Sequence, residues 1–143
     1  MTRFTPCIAA LALACTQAPF TSPDIKEPAR ADVIVQIGNA SVEPAVARLK
    51  EGGSVAWANS SVSPAVVSFP GSDVSQLNCK ELRPAFTKDG NTLLSFPFRG
   101  ANYPVVLPCS LKKGRYPYVI NLLNSFTDLD HPAFTLSAEI RVE

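Results

Sequence analysis

The segment 134–142, FTLSAEIRV, sets Phe134, Leu136, Ala138, Ile140 and Val142 on one side of a period-two alternation and Thr135, Ser137, Glu139 and Arg141 on the other. Successive side chains of a strand point to opposite faces, so this pattern predicts a strand with one face buried and one in water. Related patterns run back along the chain. Val33, Val35 and Ile37 alternate with Asp32, Ile34 and Gln36 until Gly38 and Asn39 break the run. Val46 and Leu49 precede the turn signal Glu51, Gly52 and Gly53, behind which Val55, Trp57 and Asn59 carry the next strand. Residues 64–69 are rich in β-branched and aromatic side chains and end at Pro70 and Gly71. Further strands are expected over 91–96, 104–107 and 115–123, whereas 73–88 reads as a short helix or an irregular loop. About seven short strands between Gly, Pro and Asn turns predict an all-β sandwich.

Composition supports that class and limits function. The 13 prolines, about 9% of the chain and roughly twice ordinary usage, are scattered from Pro6 to Pro132 and leave little room for long helices. With 143 residues there is material for one ordinary domain. A net charge of +1 gives no electrostatic reason to expect nucleic acid or an anionic membrane surface as partner. The chain has a single histidine, so any multi-histidine metal centre is excluded and Ser/His catalysis would have to use His131.

The amino-terminal residues read as a sorting signal. Arg3 is followed by an apolar run from Phe4 to Ala14, and small residues precede Cys15. At about eleven residues the run is short of the ~20 needed to span a bilayer. Residues Leu11 to Cys15 resemble a bacterial lipobox, which implies cleavage after residue 14 and a lipid on Cys15. An ordinary signal, with Cys15 incidental, is the alternative. Residues 15–31 then form a tether punctuated by Pro19, Pro23 and Pro28, and the domain spans 32–143. Loss of Arg3 with the signal balances the remaining basic residues against the 12 acidic ones. The expected location is a bacterial cell envelope, on the periplasmic side or the cell surface, with membrane contact only through the lipid.

Cleavage would remove Cys7 and lipidation would use Cys15, leaving Cys79 and Cys109 in the domain. An even pair in an exported domain predicts one disulfide. Its Cα atoms are expected about 4.4–6.8 Å apart. Two free thiols, or a metal-binding cysteine, are the alternative.

Two segments carry a resemblance to a known family. The first runs from Pro44 through Leu49, Gly52, Val55, Trp57 and Asn59 to Ala65, Val67 and Phe69; the second is Lys113, Gly114, Tyr116 and Tyr118. Cupredoxins have similar spacing, with a V-x-W-x-N strand, an H-x-V-x-F strand and a G-x-Y-x-Y strand leading into the copper loop. The closing segment Ala138, Ile140 and Val142 is similar to the family's last strand. The resemblance covers about 100 residues and implies a Greek-key β-sandwich. On the residues themselves, Gly52 and Gly53 relieve backbone strain at a hairpin, Trp57 and Tyr116 supply inward-facing area, and Asn59 can bond local backbone in a turn.

A blue-copper site needs two imidazoles and a thiolate with a weak axial ligand. The resemblance places the first imidazole at Ala65, the thiolate at Ile120 and the second imidazole at Leu123, none of which has a donor atom. It therefore implies the fold without the copper, and no cofactor is expected. His131 with Asp128 and Asp130 is the remaining candidate for a weak oxygen-and-nitrogen metal site, against its reading as a solvated loop residue. No glycine-rich phosphate loop, C-x-x-C or paired-carboxylate motif is present, so no catalytic residue is assigned and no enzyme is expected.

The expected function is that of a non-catalytic, copper-free binding or accessory module, monomeric, taking an envelope protein or a small ligand. An electron-transfer or copper-binding protein with a non-standard site near His131 is the alternative. The candidate surface is the end bearing Ala65, Asn102, Tyr103 and the 121–131 loop, where Leu122, Leu123 and Phe126 form either a contact patch or a loop core.

Overall fold

A computed structural model describes residues 31–71, 77–79, 81–82 and 85–143. The expected signal, Cys7, Cys15 and the tether up to residue 30 lie outside them. Among the described residues there is no helix, and the expected all-β sandwich is what forms. One sheet has the order β2 (Val42–Glu43), β1 (Val33–Ile37), β4 (Val55–Asn59), β9 (Gly100–Val106). The other has the order β3 (Val46–Leu49), β12 (Pro132–Val142), β11 (Gly114–Leu123), β5 (Ala65–Phe69), β8 (Thr92–Ser95), β7 (Phe86–Asp89). Two short segments, β6 (Asn78–Cys79) and β10 (Cys109–Ser110), pair with each other. The strand segments exceed the seven or so expected because the structure adds three of two residues each and places β7 in the stretch read as helix or loop; β9 is the expected 104–107 strand begun earlier, at Gly100.

The chain changes sheets early. β1 pairs with β4 in parallel, while β3 crosses to the other sheet and pairs with β12 in parallel. The turn at 51–53 therefore links two sheets and closes no hairpin. Gly52 sits there at φ +81°, where only glycine is unstrained. Gly53 is required for room instead: a Cβ would lie 2.9 Å from the Lys50 carbonyl oxygen, which accepts its N–H.

Inward-facing alternates of both sheets meet in one core, with Val35, Ile37 and Trp57 from one side and Ala47, Val67, Ile120 and Ile140 from the other. Burial of apolar area drives this at about 25 cal/mol per Å². At its centre the Trp57 ring is 5.9 Å from Phe69, 6.1 Å from Phe86 and 5.5 Å from Tyr118, centroid to centroid. Tyr118, not Tyr116, is the buried tyrosine of β11; Tyr116 is half-buried, and its hydroxyl donates to the Lys112 carbonyl at 2.8 Å. The Tyr118 hydroxyl and the Trp57 indole N–H are both buried without a hydrogen-bond partner. Burial pushes the Tyr118 hydroxyl up to about 12, and the nearby indole offsets part of that rise.

Segment 134–142 buries only its second half. β11 and β12 outrun their neighbours: β3 pairs with 139–142 and β5 with 119–122. Phe134 lies on the core-facing side opposite Leu122, yet it is 47% exposed because no third strand flanks it. Cys79 and Cys109 are bonded, as expected, and stand directly opposite across β6 and β10. That opposition brings their Cα atoms to 3.9 Å, below the expected range of about 4.4–6.8 Å. Cys109 is buried against the core beside Leu77, Leu107 and Leu111.

Candidate functional site

The three positions at which copper ligands were expected to be replaced all lie in the core. Ala65 opens β5, bonds both ways with the Phe98 backbone (2.9 and 3.0 Å) and faces Leu122 across the sheet. Leu123 follows at the β11 irregularity, its N–H bonded to the Pro64 carbonyl at 2.8 Å, while Ile120 lies deeper, opposite Val67. All three are buried. A copper ion does not fit these residues: they provide methyl and methylene groups packed against other apolar side chains, with no donor atom.

The loop beyond β11 separates the residues grouped in the sequence reading. Leu122 and Leu123 are core, whereas Phe126 is 51% exposed and Leu129 52% exposed. His131 Nδ1 lies 3.1 Å from Asp128 Oδ1, and the histidine is largely in solvent, its side chain 84% exposed. The structure does not add Asp130 to that pair. Among the described residues no group of three or more His, Cys, Asp or Glu side chains is positioned to hold a metal ion. Asn102 and the exposed Tyr103 lie on β9, the edge strand of the other sheet.

The same end is fastened by Asn59, which is fully buried at the end of β4. Its Nδ2 donates to the carbonyls of Ser63 (2.8 Å) and Phe98 (3.0 Å), and its Oδ1 accepts from the N–H (2.9 Å) and hydroxyl (2.6 Å) of Ser61. The turn role read from the sequence is thus part of a wider one, since Phe98 belongs to a different loop.

A cleft of about 290 Å³ opens beside that end, on the outer face of the larger sheet. It begins with a break in the β5–β8 ladder. Ser68 pairs with Leu94, but Ala65 pairs with Phe98, so three residues on one strand oppose two on the other. This extra residue is a β-bulge, which bends a strand and leaves one ladder group unpaired. Here the Ser95 hydroxyl accepts the Val67 N–H at 2.8 Å and replaces the missing ladder acceptor. Phe96 and Pro97 are displaced outward and form one wall of the cleft. Val66, Leu94 and Asn121 make its floor, and Leu129 closes it from the 124–131 loop. Asp89 and Asp130 stand exposed at the rim.

Sequence reasoning missed this cleft. The available signal was Pro97, since a proline directly after a strand run marks an edge or a bulge. A second and larger depression, about 440 Å³, lies at the opposite end between Asp32, Arg48, Lys50 and Gly53. It is an open groove in which both signs of charge alternate, with Arg48 paired to Glu143 at 2.6 Å. Asp32 is held there by Ser54, whose N–H and hydroxyl donate to it at 2.7 and 3.0 Å; these bonds, the backbone one foremost, hold its carboxyl below the usual range. This is a fastening of β1 to β4 where the chain enters the domain. No protein-family model matches the chain, and no curated protein matches it significantly.

Proposed function

We propose that this chain is a copper-free, cupredoxin-like envelope lipoprotein whose domain acts as a non-catalytic binding or accessory module. The observation that carries the reading is the burial of Ala65, Ile120 and Leu123 as apolar core at the three places where the family resemblance puts its copper ligands. Burial of methyl-bearing side chains there stabilises the sandwich and offers a metal nothing to bind. The lipid on Cys15 supplies envelope retention in this reading; a Cys15→Ser chain is then expected in the soluble fraction, and a wild-type chain already soluble would count against anchoring.

The contact between His131 and Asp128 favours the alternative of a loosely held Cu(II). Stoichiometric Cu(II) with visible absorption separates the two. No absorption beyond that of free Cu(II) is expected on the copper-free reading, whereas a weak, pale band lost in His131→Ala is what a site at that loop would give. An intense thiolate-to-copper charge-transfer band would overturn both readings, since the bonded Cys79 and Cys109 have no thiolate to give.

A further inference from the structure

We propose that the cleft beside the β5–β8 bulge binds a small organic cation, an ammonium group carried on a compact apolar body. The proposal rests on the reading of the domain as a binding module and names the chemistry of what it binds.

The cleft has the two parts that such a ligand needs. Its lining is largely apolar, with Val66 buried on the outer face of the sheet, and Leu94, Leu129 and the half-exposed Phe96 of the bulge beside it. Ligand pockets are concave and mainly apolar with a few placed polar groups. Among the described residues its charge is of one sign: Asp89 from β7 and Asp130 from the loop both line it, and no described Lys, Arg or His does. Among the described residues neither aspartate is in an ion pair, whereas Glu139 on the same face of the sheet bonds both Arg115 and Arg141.

The carboxylates come from separate elements, and both line the cleft because the loop folds back over the sheet. An ammonium between them would gain charge-assisted hydrogen bonds while its apolar body covers Val66 and Leu94. The volume of about 290 Å³ lies at the small end of the range for ligand sites, which argues for a small molecule rather than a protein segment. Two carboxylates without a third ligand are too few for Ca²⁺, which takes six to eight oxygens.

The test is an amide-resolved NMR titration of the whole purified chain with 2-phenylethylammonium, 2-phenylethanol and phenylacetate. The ammonium is expected to saturate with a dissociation constant on the order of millimolar, as suits so small a ligand. It should shift the amides of Leu94, Phe96, Asn121 and Leu129. The neutral alcohol should bind about tenfold more weakly, and the carboxylate less again. Asp89→Asn with Asp130→Asn, both at exposed positions where folding is not at risk, should bring the ammonium down to the alcohol's affinity and leave the alcohol unchanged. Equal binding of ammonium and alcohol, shifts confined to other residues, no saturation, or displacement of the ammonium by equimolar Ca²⁺ would each overturn the proposal. Such a failure leaves the module reading standing with another ligand, whereas the copper spectrum and the Cys15→Ser fractionation bear on that reading itself.

Discussion

The side-chain amide of Asn59 donates to the carbonyl of Phe98 at 3.0 Å, across 39 residues of chain. Through this one side chain the loop after β4 and the segment returning from the β8 bulge are tied together. The Phe98 backbone in turn holds Ala65, so the end of the sandwich is closed by backbone bonds. Asn59 is fully buried and uses both of its donors and both acceptor positions.

Replacing Asn59 with Ala should therefore cost about 2–4 kcal/mol, because the partners left behind are buried and cannot all reach water. Ser61→Ala, which removes one bond of the set, should cost about 1 kcal/mol. Urea denaturation of the two variants checks the order. Equal and small losses would mean that water replaces Asn59 at no cost.

Tyr118→Phe should leave stability at neutral pH unchanged or raise it by about 1 kcal/mol, since the hydroxyl removed is buried without a partner. The same variant tests the alkaline limb. The folded hydroxyl titrates at about 12, above its value of 10.0 in an unfolded chain. With the folded value raised, the stability involved is fully present below pH 10.0 and is lost as pH rises towards 12. Denaturation midpoints between those limits should fall in the wild type and fall less in Tyr118→Phe. Parallel curves would contradict the assignment.

At the acid end the sign reverses. Hydrogen bonds from Ser54 lower Asp32, and bonds from Arg115 and then Arg141 lower Glu139. With folded values depressed, these groups contribute stability above the ordinary carboxylate range. That contribution disappears as pH falls through the folded values. Asp32→Asn and Glu139→Gln should each flatten the loss of stability below about pH 4. Thermal midpoints against pH give the slopes, and unchanged slopes would remove both carboxylates from the acid response.

The bond between Cys79 and Cys109 closes a loop of 30 residues that contains β7, β8 and β9. Replacing both cysteines with serine should destabilise by about 3–4 kcal/mol on the chain-entropy account. The comparison requires guanidinium melts of the oxidised wild type and the double variant. A loss under about 1 kcal/mol would mean that β6–β10 pairing already restricts the unfolded chain.

Much of the fold is legible in local pattern. The alternation at 33–37 and 134–142 correctly assigns Val35, Ile37, Ile140 and Val142 to the core and Ile34 and Thr135 to the outside. Strand 86–89 was not legible, because Phe86 is its only fully buried residue and Thr87, Lys88 and Asp89 carry no apolar alternate. The cleft was not legible either. It depends on the offset between Ser68–Leu94 and Ala65–Phe98, a relation between residues about thirty apart that periodicity does not encode.

By itself the sequence determined the all-β class and the absence of donor atoms at Ala65, Ile120 and Leu123, and it pointed to one disulfide between Cys79 and Cys109, which the structure forms. These follow from side-chain period, cysteine count and chemical identity, none of which needs a third dimension. Only the tertiary structure decided that β3 and β4 belong to different sheets, that Tyr118 rather than Tyr116 is enclosed, and that Phe134 is left in solvent. It also decided that Asp89 and Asp130 share a rim. A strand's own residues fix which side chains alternate. Where each strand ends against its neighbours, and so which of those side chains is covered, is set by pairing between segments far apart in the chain.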